Sequence, residues 1–432
     1  MNESRIIVGI DVGTYKVVTV IAKITEGIIN VLGVSEVKSQ GIRKGQVVDI
    51  EEAVGAINTS LEGAERMAGY SASRVIISLG GSQIECQNSR GVVAVSTPEG
   101  EISASDLGRV IDAAKAVSLP STREIIHVLP RSFIVDGQEG IKDPVGMSGT
   151  RLEVDTHIVT ANSVSIRNLE KAFSEVGVDV SSFAFSGYAS SLAVLSDTER
   201  ELGVILVDIG AGTTDISIYI EGAVAYSSVL AIGARHVTND LAIGLRLSIE
   251  SAEKIKLYLS QDPSKRQGRT LEVLDDDKER EIRSDEIDLS SLNLTEDIRK
   301  VSQKTLTDGI IKPRLNEICA MIGLEIKKSG FGGQTPAGIV ITGGGSLTAG
   351  IKESARRTLA MPVRIGLPTN VKGITYVVQH PAFSAAIVLI EYGMKNTESR
   401  TSSFKFSMPG NIGFNGSKML KKVVNLIKSF IP

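Results

Sequence analysis

Short apolar runs separated by tight turns dominate the first part of the chain. Residues 6–10 and 17–24 are apolar and flank the turn 11–14. Another apolar run follows at 28–34, and a further run at 74–79 ends in two glycines. Apolar runs of this length, bounded by turn residues, are typical of buried strands. The pattern therefore predicts a sheet built largely from consecutive hairpins.

Apolar residues spaced three and four positions apart predict helices between these strands. Asp49, with Glu52 three residues later, is a predicted N-cap, and Gly177 is the predicted stop of a helix that begins at Ser163. Pro313 should kink or split a long helical region, because proline removes a backbone hydrogen bond and clashes with the preceding turn. The other predicted helices lie at about residues 105–117, 234–244, 248–259, 296–328 and 380–393.

Changes in pattern along the chain indicate two lobes with an insertion. Residues 84–160 combine short strands, one helix and a loop rich in Gly, Asp and Pro, so we predict a small α+β module inserted into the first lobe. Residues 394–416 are poor in bulky apolar side chains, which is typical of a flexible linker. The other predicted divisions are a first-lobe core (1–83 and 161–201), a second-lobe core (202–245 and 305–393), a small subdomain (246–304) and a terminal helix (417–432).

Composition and charge exclude several classes of protein. The chain has 432 residues, 42% hydrophobic and 22% charged, which is typical of a soluble globular protein large enough for two lobes. A net charge of −3 argues against a general nucleic-acid binder. Cys86 and Cys319 fit neither a disulfide framework nor a metal-ligand spacing, so we expect a reducing cytoplasm. No apolar stretch is long enough to cross a bilayer, and any membrane contact is predicted to be peripheral.

A motif that occurs twice indicates the chemistry. The first hairpin has an apolar strand that ends in Asp11, followed by Gly13 and Thr14. In the second lobe, a similar strand ends in Asp208 before the glycine–threonine turn 210–214. Glycines let a backbone approach phosphate oxygens, threonine hydroxyls add donors, and carboxylates can hold a hydrated divalent cation. Two such turns from two lobes would grip a triphosphate from opposite sides, although either turn alone is common in ordinary hairpins.

A third glycine-rich turn adds to this pattern. Residues 343–346 read Gly-Gly-Gly-Ser at the end of an apolar strand, where a nucleoside can rest against bare backbone. Glu253, Lys256 and Ser260 recur at helical spacing further along the second lobe, a spacing that is also common on solvated helices. The sequence contains neither a P-loop nor a dinucleotide-binding glycine fingerprint, which argues against those folds.

The three turns, in this order, resemble the superfamily of actin, heat-shock chaperones and sugar kinases. The resemblance implies an α/β, actin-like two-lobe ATPase fold of duplicated ribonuclease-H-like domains. The segment 253–260 looks like the helix that contacts the adenosine in the chaperone branch. The block at residues 127–153 resembles the FtsA family of bacterial cell-division proteins, which carries an α+β module in its first lobe.

The resemblance implies ATP and Mg²⁺ as ligands in the cleft between the lobes. Asp11 and Asp208 would act on the metal, directly or through water. No catalytic residue is assigned, because the position where chaperones carry a water-orienting carboxylate reads Ser186 here. The residues implied to contact the nucleotide are Asp11, Gly13, Thr14, Tyr15, Lys16, Asp208, Gly210, Ala211, Gly212, Thr213, Thr214, Asp215, Gly233, Glu253, Lys256, Ser260, Gly343, Gly344, Gly345 and Ser346.

The end of the chain is predicted to bind a membrane surface. As a helix, residues 418–430 would present one apolar face flanked by lysines. Such a helix is about 20 Å long, too short to span a bilayer and suited to lie in its interface. Lysine as the only charge favours anionic lipid, and the alternative is a helix docked on the core or on a partner. The predicted membrane residues are Met419, Leu420, Lys421, Lys422, Val423, Val424, Leu426, Ile427, Lys428 and Phe430.

Similarity to the FtsA family implies a scaffold of the division machinery and at most a slow ATPase. The implied partners are the FtsZ C-terminal peptide (through about residues 249–301), other copies of the chain in filaments, later division proteins and anionic lipids, with no nucleic acid. The implied location is the cytoplasmic face of the bacterial plasma membrane at the division site. Two alternatives remain: a scaffold like the type IV pilus protein PilM, and a small-molecule kinase of the same superfamily.

Overall fold

The structure is a computed structural model that describes residues 5–96, 100–261, 285–368, 372–373 and 380–402. The chain divides into two units, residues 1–394 and 395–432. Within the described part, no helix is both long and apolar enough to cross a bilayer. The predicted membrane residues between Met419 and Phe430 lie outside the described residues, as do residues 262–284 of the predicted FtsZ-binding region.

The described residues form the following strands and helices. The strands are β1 (Arg5–Val12), β2 (Lys16–Thr25), β3 (Ile28–Lys38), β4 (Ile42–Arg43), β5 (Gln46–Val47), β6 (Arg74–Leu79), β7 (Glu85–Ala94), β8 (Arg123–Val135), β9 (Gln138–Ile141), β10 (Arg151–Asn162), β11 (Asp179–Phe185), β12 (Val204–Ile209), β13 (Thr214–Ile220), β14 (Ala223–Leu230), β15 (Glu286–Asp288), β16 (Lys300–Ser302), β17 (Ile339–Thr342), β18 (Val363–Ile365) and β19 (Lys372–Gly373). The α-helices are α1 (Ile50–Ala68), α2 (Ala104–Lys115), α3 (Ser163–Val176), α4 (Ser186–Val194), α5 (Asp197–Leu202), α6 (Arg235–Leu245), α7 (Ile249–Ser260), α8 (Lys312–Ser329), α9 (Ile351–Leu359) and α10 (Ser384–Ser402). Short 3-10 helices lie at Ser290–Leu292, Gly344–Leu347 and Pro381–Phe383, and a π-helix at Thr305–Ile311.

The first lobe is built on a six-stranded sheet with the order β11-β6-β1-β2-β3-β19. The hairpin strands β1, β2 and β3 are antiparallel, whereas β6 runs parallel to β1. Helix α1 begins where predicted, because the side chain of Asp49 accepts a hydrogen bond from the Glu52 amide. Gly177 ends α3 in the left-handed conformation, as predicted.

The second lobe repeats this plan on a five-stranded sheet with the order β14-β13-β12-β17-β18. Strand β12 pairs antiparallel with β13 and parallel with β17, as β1 pairs with β2 and β6. All six residues of β12 and all four of β17 are buried, because helices cover both faces of these central strands. The carboxyl ends of β12 and β17 therefore lie side by side at the cleft.

The inserted module forms a separate sheet with the order β7-β10-β8-β9. Helix α2 packs against this sheet and begins with a capping box formed by Ser103 and Asp106. The module has its own apolar core, which includes Ile102, Phe133 and Leu152. The prediction of an α+β insert in the first lobe is confirmed by this arrangement.

Two predicted elements are wrong in detail. The long helix does not begin near residue 296, because β16 lies at Lys300–Ser302 and the helical region starts with the π-helix Thr305–Ile311. Pro313 lies in the first turn of α8, at the junction where the π-helix Thr305–Ile311 becomes an α-helix. The predicted linker 394–416 is helical as far as Ser402, because α10 continues past Gly393 through a polar sequence.

The last helix and the 3-10 helix before it pack against both lobes. Phe383, Ala386, Ile387 and Ile390 pack on the buried face of β2 and β3. Val388 and Leu389 pack with residues of β6, α4, β12 and β17. Strand β19 also pairs with β3 in the first-lobe sheet. The last part of the segment predicted to complete the second-lobe core therefore also packs against the first-lobe sheet.

Candidate nucleotide-binding cleft

The two repeated turns have the same backbone geometry. In the first turn, the amide of Gly13 donates to the carbonyl of Lys16 over 3.0 Å. In the second, the amide of Gly210 donates to the carbonyl of Thr213 over 2.9 Å. The two carbonyl groups of residues 210 and 211 accept from the first amides of α6, which fixes the second turn against that helix. The motif that is repeated in the sequence therefore forms the same kind of turn twice, once in each lobe.

The two turns face each other across the cleft. A Cβ atom placed on Gly212 would lie 2.9 Å from both Oγ1 and Cγ2 of Thr14. A Cβ atom on Gly233 would lie 2.5 Å from the Gly210 carbonyl oxygen, so no side chain fits there either. Thr14 also accepts a hydrogen bond from the Gly45 amide at 3.1 Å. The cleft floor is thus made of closely spaced backbone, the surface to which phosphate groups bind.

Three carboxylates gather at the ends of the central strands. Asp11 and Asp208 are each the second-last residue of their strands, β1 and β12, and Asp215 pairs with Asp208 in the β12–β13 register. Asp208 and Asp215 are only 8% and 5% exposed. Ser78 donates to Asp11 Oδ1 over 2.5 Å, and Ser190 donates to Asp208 Oδ2. One serine from a neighbouring element therefore orients the carboxylate of each repeat.

Burial and mutual repulsion act on all three carboxylates. Burial, reinforced by the negative charge of Asp11, raises the pKa of Asp208 to about 6, and the Ser190 hydroxyl opposes this. Burial followed by repulsion from Asp208 and Asp11 raises the pKa of Asp215 well above its usual value. Burial also raises the pKa of Asp11, against the hydrogen bond from Ser78 and the charge of Lys16. Such like-charge clusters are unfavourable unless a proton or a cation neutralises them.

The cluster fits a hydrated divalent cation. Asp215 Oδ1 is buried and has no hydrogen-bond partner among the described residues. Within the same residues, no three His, Cys, Asp or Glu side chains come close enough together to ligate a metal directly. Magnesium usually keeps several waters and takes only one or two carboxylates from the protein. Asp11 and Asp208 are therefore suited to hold such an ion at least partly through water.

The third glycine turn lies directly against the carboxylates. Gly343 has φ 81°, and a Cβ atom there would overlap Asp208 Oδ1 and the carbonyl oxygen of Ile209. Gly345 is equally close to Ile209, while Gly344 is exposed. The hydroxyl of Ser346 is buried and donates to the Gly343 carbonyl over 2.7 Å. Ser346 therefore stabilises the turn, and the exposed backbone of Gly344 is the part that can meet a ligand.

The predicted adenosine helix contributes a paired acid and base. Lys256 Nζ lies 2.8 Å from Glu253 Oε2 and 2.9 Å from Thr238 Oγ1, and Thr238 also donates to Glu253. The Ser260 hydroxyl donates to the Lys256 carbonyl, so its hydrogen is used within the helix. Partial burial, followed by the charges of Glu253 and Glu36, raises the pKa of Tyr15, which lies across the cleft. The structure thus places the Glu253–Lys256 pair close enough to the first lobe for Glu253 to act on Tyr15.

Lys16 points away from the turn that precedes it. Its Nζ lies 2.7 Å from Glu36 Oε2 and 3.8 Å from the centre of the Phe383 ring. Its side chain therefore joins β3 and the start of the last helix, although its charge still reaches Asp11.

Tyr15 is 42% exposed at the cleft rim. The Thr214 hydroxyl is buried and donates to the Ile232 carbonyl over 2.8 Å.

Sequence reasoning missed three hydroxyl groups of this cleft. Ser78, Ser190 and Thr238 each bond a charged side chain of the predicted site. Ser78 is the second-last residue of β6, and a polar residue near the end of an otherwise apolar strand is a usable signal. Ser190 and Thr238 stand inside helices with no distinguishing pattern, and only the tertiary fold brings them to Asp208 and Lys256.

Family models match two parts of the chain. Residues 81–160 match the SHS2 domain inserted in FtsA, and residues 205–388 match cell division protein FtsA. The FtsA of Pseudomonas aeruginosa is 36% identical over 396 residues, which cover 91% of each chain. The FtsA of Borreliella burgdorferi is 40% identical over 390 residues, which cover 90% of this chain and 91% of the relative. The chain belongs to the FtsA family of cell division proteins.

Solved structures of distant proteins share the fold. The PilM–PilN type IV pilus biogenesis complex matches with a TM-score of 0.62 at 15% identity, covering 90% of this chain and 98% of that chain. MreB5 of Spiroplasma citri bound to ADP matches with a TM-score of 0.51 at 14% identity, covering 92% and 98%. At such identities the likeness concerns the fold alone. The predicted actin-like fold and the resemblance to the FtsA family are both confirmed.

Proposed function

We propose that the cleft binds ATP together with Mg²⁺. This proposal rests on one arrangement: three carboxylates and three glycine-rich turns surround the same space. Asp215 Oδ1 has no hydrogen-bond partner there among the described residues. The solved structures of MreB5 with ADP and with AMPPNP support a nucleotide as the ligand of this fold. Bound Mg²⁺ would neutralise the carboxylates and the phosphates together.

The residues of the chain divide between phosphate, metal and nucleoside. Asp11 and Asp208 would hold the metal, and Ser78 and Ser190 keep their carboxylates oriented toward it. The amides of Thr14 and of residues 211–213 would bind phosphate oxygens, because the amides of Val12, Gly13 and Gly210 already donate within the protein. The exposed Gly344 backbone would meet the nucleoside, with the Glu253–Lys256 pair beside it. Lys16 stays a predicted nucleotide contact: its Nζ bonds Glu36 and lies over the Phe383 ring, while its charge acts on Asp11.

Hydrolysis of ATP is expected to be slow. A Cβ atom on Gly80 would lie 3.0 Å from Ser186 Oγ and 3.6 Å from Asp215 Oδ2, so Ser186 stands beside the carboxylate cluster at the start of α4. A serine hydroxyl there cannot take a proton from water as a carboxylate would. Phosphate release at saturating Mg²⁺-ATP should therefore stay far below the median enzyme turnover of about 10 s⁻¹. A turnover near that value, or acceleration by a small-molecule phosphoryl acceptor, would favour the kinase alternative.

We further propose that the protein anchors FtsZ to the cytoplasmic membrane at the division site. Membership of the FtsA family of cell division proteins supports this role. The proposal includes binding of the FtsZ C-terminal peptide through about residues 249–301, self-assembly into filaments and recruitment of later division proteins. The lysine-rich residues 418–430 would bind anionic lipid. The likeness to PilM, at 15% identity, gives no comparable support for a pilus function.

Recruitment of FtsZ to lipid tests this role. We expect the full chain, with Mg²⁺-ATP, to carry FtsZ into the pellet with anionic liposomes, because one protein would hold both the lipid and the FtsZ peptide. Co-sedimentation is measured with and without the chain, and FtsZ lacking its C-terminal peptide is the matched control. If FtsZ stays in the supernatant while the chain itself pellets, the chain binds lipid but does not anchor FtsZ.

A further inference from the structure

The inserted module reaches the first lobe through a buried histidine. His127, on β8, is 5% exposed. Its Nε2 accepts a hydrogen bond of 2.8 Å from the amide of Phe185, the residue that precedes α4. Its ring packs against Tyr188 of α4 and Tyr392 of α10, with ring centres 5.3 and 5.5 Å apart. The start of α4 therefore has a hydrogen-bond partner that only the insert supplies.

A second buried histidine joins the insert to the second lobe. His157, on β10, is 2% exposed, and its Nδ1 lies 2.8 Å from Asn88 Oδ1. Its Nε2 lies 3.1 Å from the hydroxyl of Ser227 on β14. Asn88 Nδ2 donates to the Ala225 carbonyl of the same strand over 3.2 Å. Because that bond fixes the amide orientation, His157 donates from Nδ1 and accepts from Ser227 at Nε2.

The two elements that these histidines contact, α4 and β14, both lie next to the carboxylate cluster. Helix α4 begins at Ser186, beside Asp215, and carries Ser190, which holds Asp208. Strand β14 pairs with β13 so that Val229 lies opposite Asp215. The inserted module thus holds the two elements that support Asp208 and Asp215 from behind.

We propose that the insert is a structural part of the nucleotide site, and that His127 is a positioning residue which holds α4, and through Ser190 the carboxylate of Asp208, in place. Displacement of the insert then changes nucleotide affinity, and bound nucleotide restrains the insert to the same extent, since coupling between sites is reciprocal. This inference rests on the proposed binding of Mg²⁺-ATP in the cleft.

The chemistry of the two rings suits a fixed connection rather than a proton switch. Burial, with a small contribution from His157, lowers the pKa of His127 to about 3. Burial, followed by the charge of Arg131, lowers the pKa of His157 to about 4. Both rings are therefore neutral near pH 7, with one acceptor nitrogen each. A buried amide such as that of Phe185 needs this acceptor, because water cannot replace it there.

Three variants of the full chain test the proposal by calorimetric titration with Mg²⁺-ATP. His127→Phe keeps a ring but removes the acceptor, and it should lower the affinity at least fivefold. His127→Gln places an amide oxygen near the Nε2 position and should stay within twofold of the parent protein. Phe133→Leu weakens the core of the insert without touching α4 and serves as the matched control. It should lower the melting temperature while leaving nucleotide affinity within twofold.

A double-mutant cycle separates positioning from general destabilisation. His127→Phe and Ser190→Ala act on the same helix, so their effects on Mg²⁺-ATP affinity should be smaller together than the product of the single effects. Phe133→Leu with Ser190→Ala should be multiplicative. Equal affinity of His127→Phe and the parent protein, or a loss shared by Phe133→Leu, overturns the inference. Absence of Mg²⁺-ATP binding by the parent protein would instead refute the proposed function on which it rests.

Discussion

Replacing Asp208 with alanine should abolish Mg²⁺-dependent ATP binding or weaken it at least tenfold, about 1.4 kcal/mol. Asp208 is buried between Ser190, Gly343 and the other two carboxylates, and the substitution removes one of the two carboxylates proposed to hold the metal. Titration calorimetry with and without Mg²⁺ measures the effect. Asp179→Ala removes an exposed carboxylate at the start of β11 and should leave the affinity unchanged.

The stability of the nucleotide-free protein distinguishes this loss from misfolding. Because Asp208 raises the pKa of Asp215 by repulsion, its charge costs folding energy in the absence of a cation. Asp208→Asn should therefore melt at the same temperature as the parent protein or higher without nucleotide, and should gain nothing from added Mg²⁺-ATP. Unchanged nucleotide affinity of both Asp208 variants would mean that the metal is held elsewhere.

Deleting residues 417–432 should release the protein from anionic liposomes and leave ATP binding intact. The apolar face of this segment would supply insertion, and each lysine near an anionic surface would add about 1 kcal/mol, reduced by salt. Val424→Glu should be nearly as damaging, because it places a charge on the face that must enter the lipid. Liposome co-sedimentation at several salt concentrations measures both variants.

Two milder variants serve as controls for the tail. Asn425→Glu adds the same charge as Val424→Glu but on the lysine side of the predicted helix, and Lys421→Gln removes one positive charge. Both should only weaken binding and change its salt dependence. If the truncated protein pellets with liposomes like the full chain, or if Val424→Glu is harmless, the terminal segment is not the anchor and a docked helix is favoured.

The turns of the cleft could be predicted from sequence because their chemistry is local. A glycine–threonine turn after an Asp-terminated strand needs no knowledge of the rest of the fold, and the two copies support each other. The caps of α1 and α3 were predictable for the same reason, since Asp49 and Gly177 act on adjacent amides and carbonyls. Elements whose conformation depends only on their neighbours in sequence were thus correctly identified.

Features that depend on distant packing were not predictable. The contacts of Lys16 with Glu36 and Phe383 join residues far apart in the sequence, so no local pattern could indicate them. The polar sequence after Gly393 resembles a linker, but it continues a helix whose start is buried against both lobes. The π-helix at Thr305–Ile311 has no clear local signal, and β16 occupies residues whose periodicity favoured a helix.

The return of the last helix to the first lobe has a consequence for synthesis on the ribosome. The apolar faces of β2 and β3 are covered by Phe383, Ala386, Ile387 and Ile390. These residues are made about 350 positions after β3, which ends at Lys38. At about 5 to 20 residues per second, the first hairpins therefore wait roughly 20 to 70 s for their covering helix. The five strands of the second-lobe sheet lie between Val204 and Ile365, so the later half of the nascent chain can complete its sheet before the earlier half does.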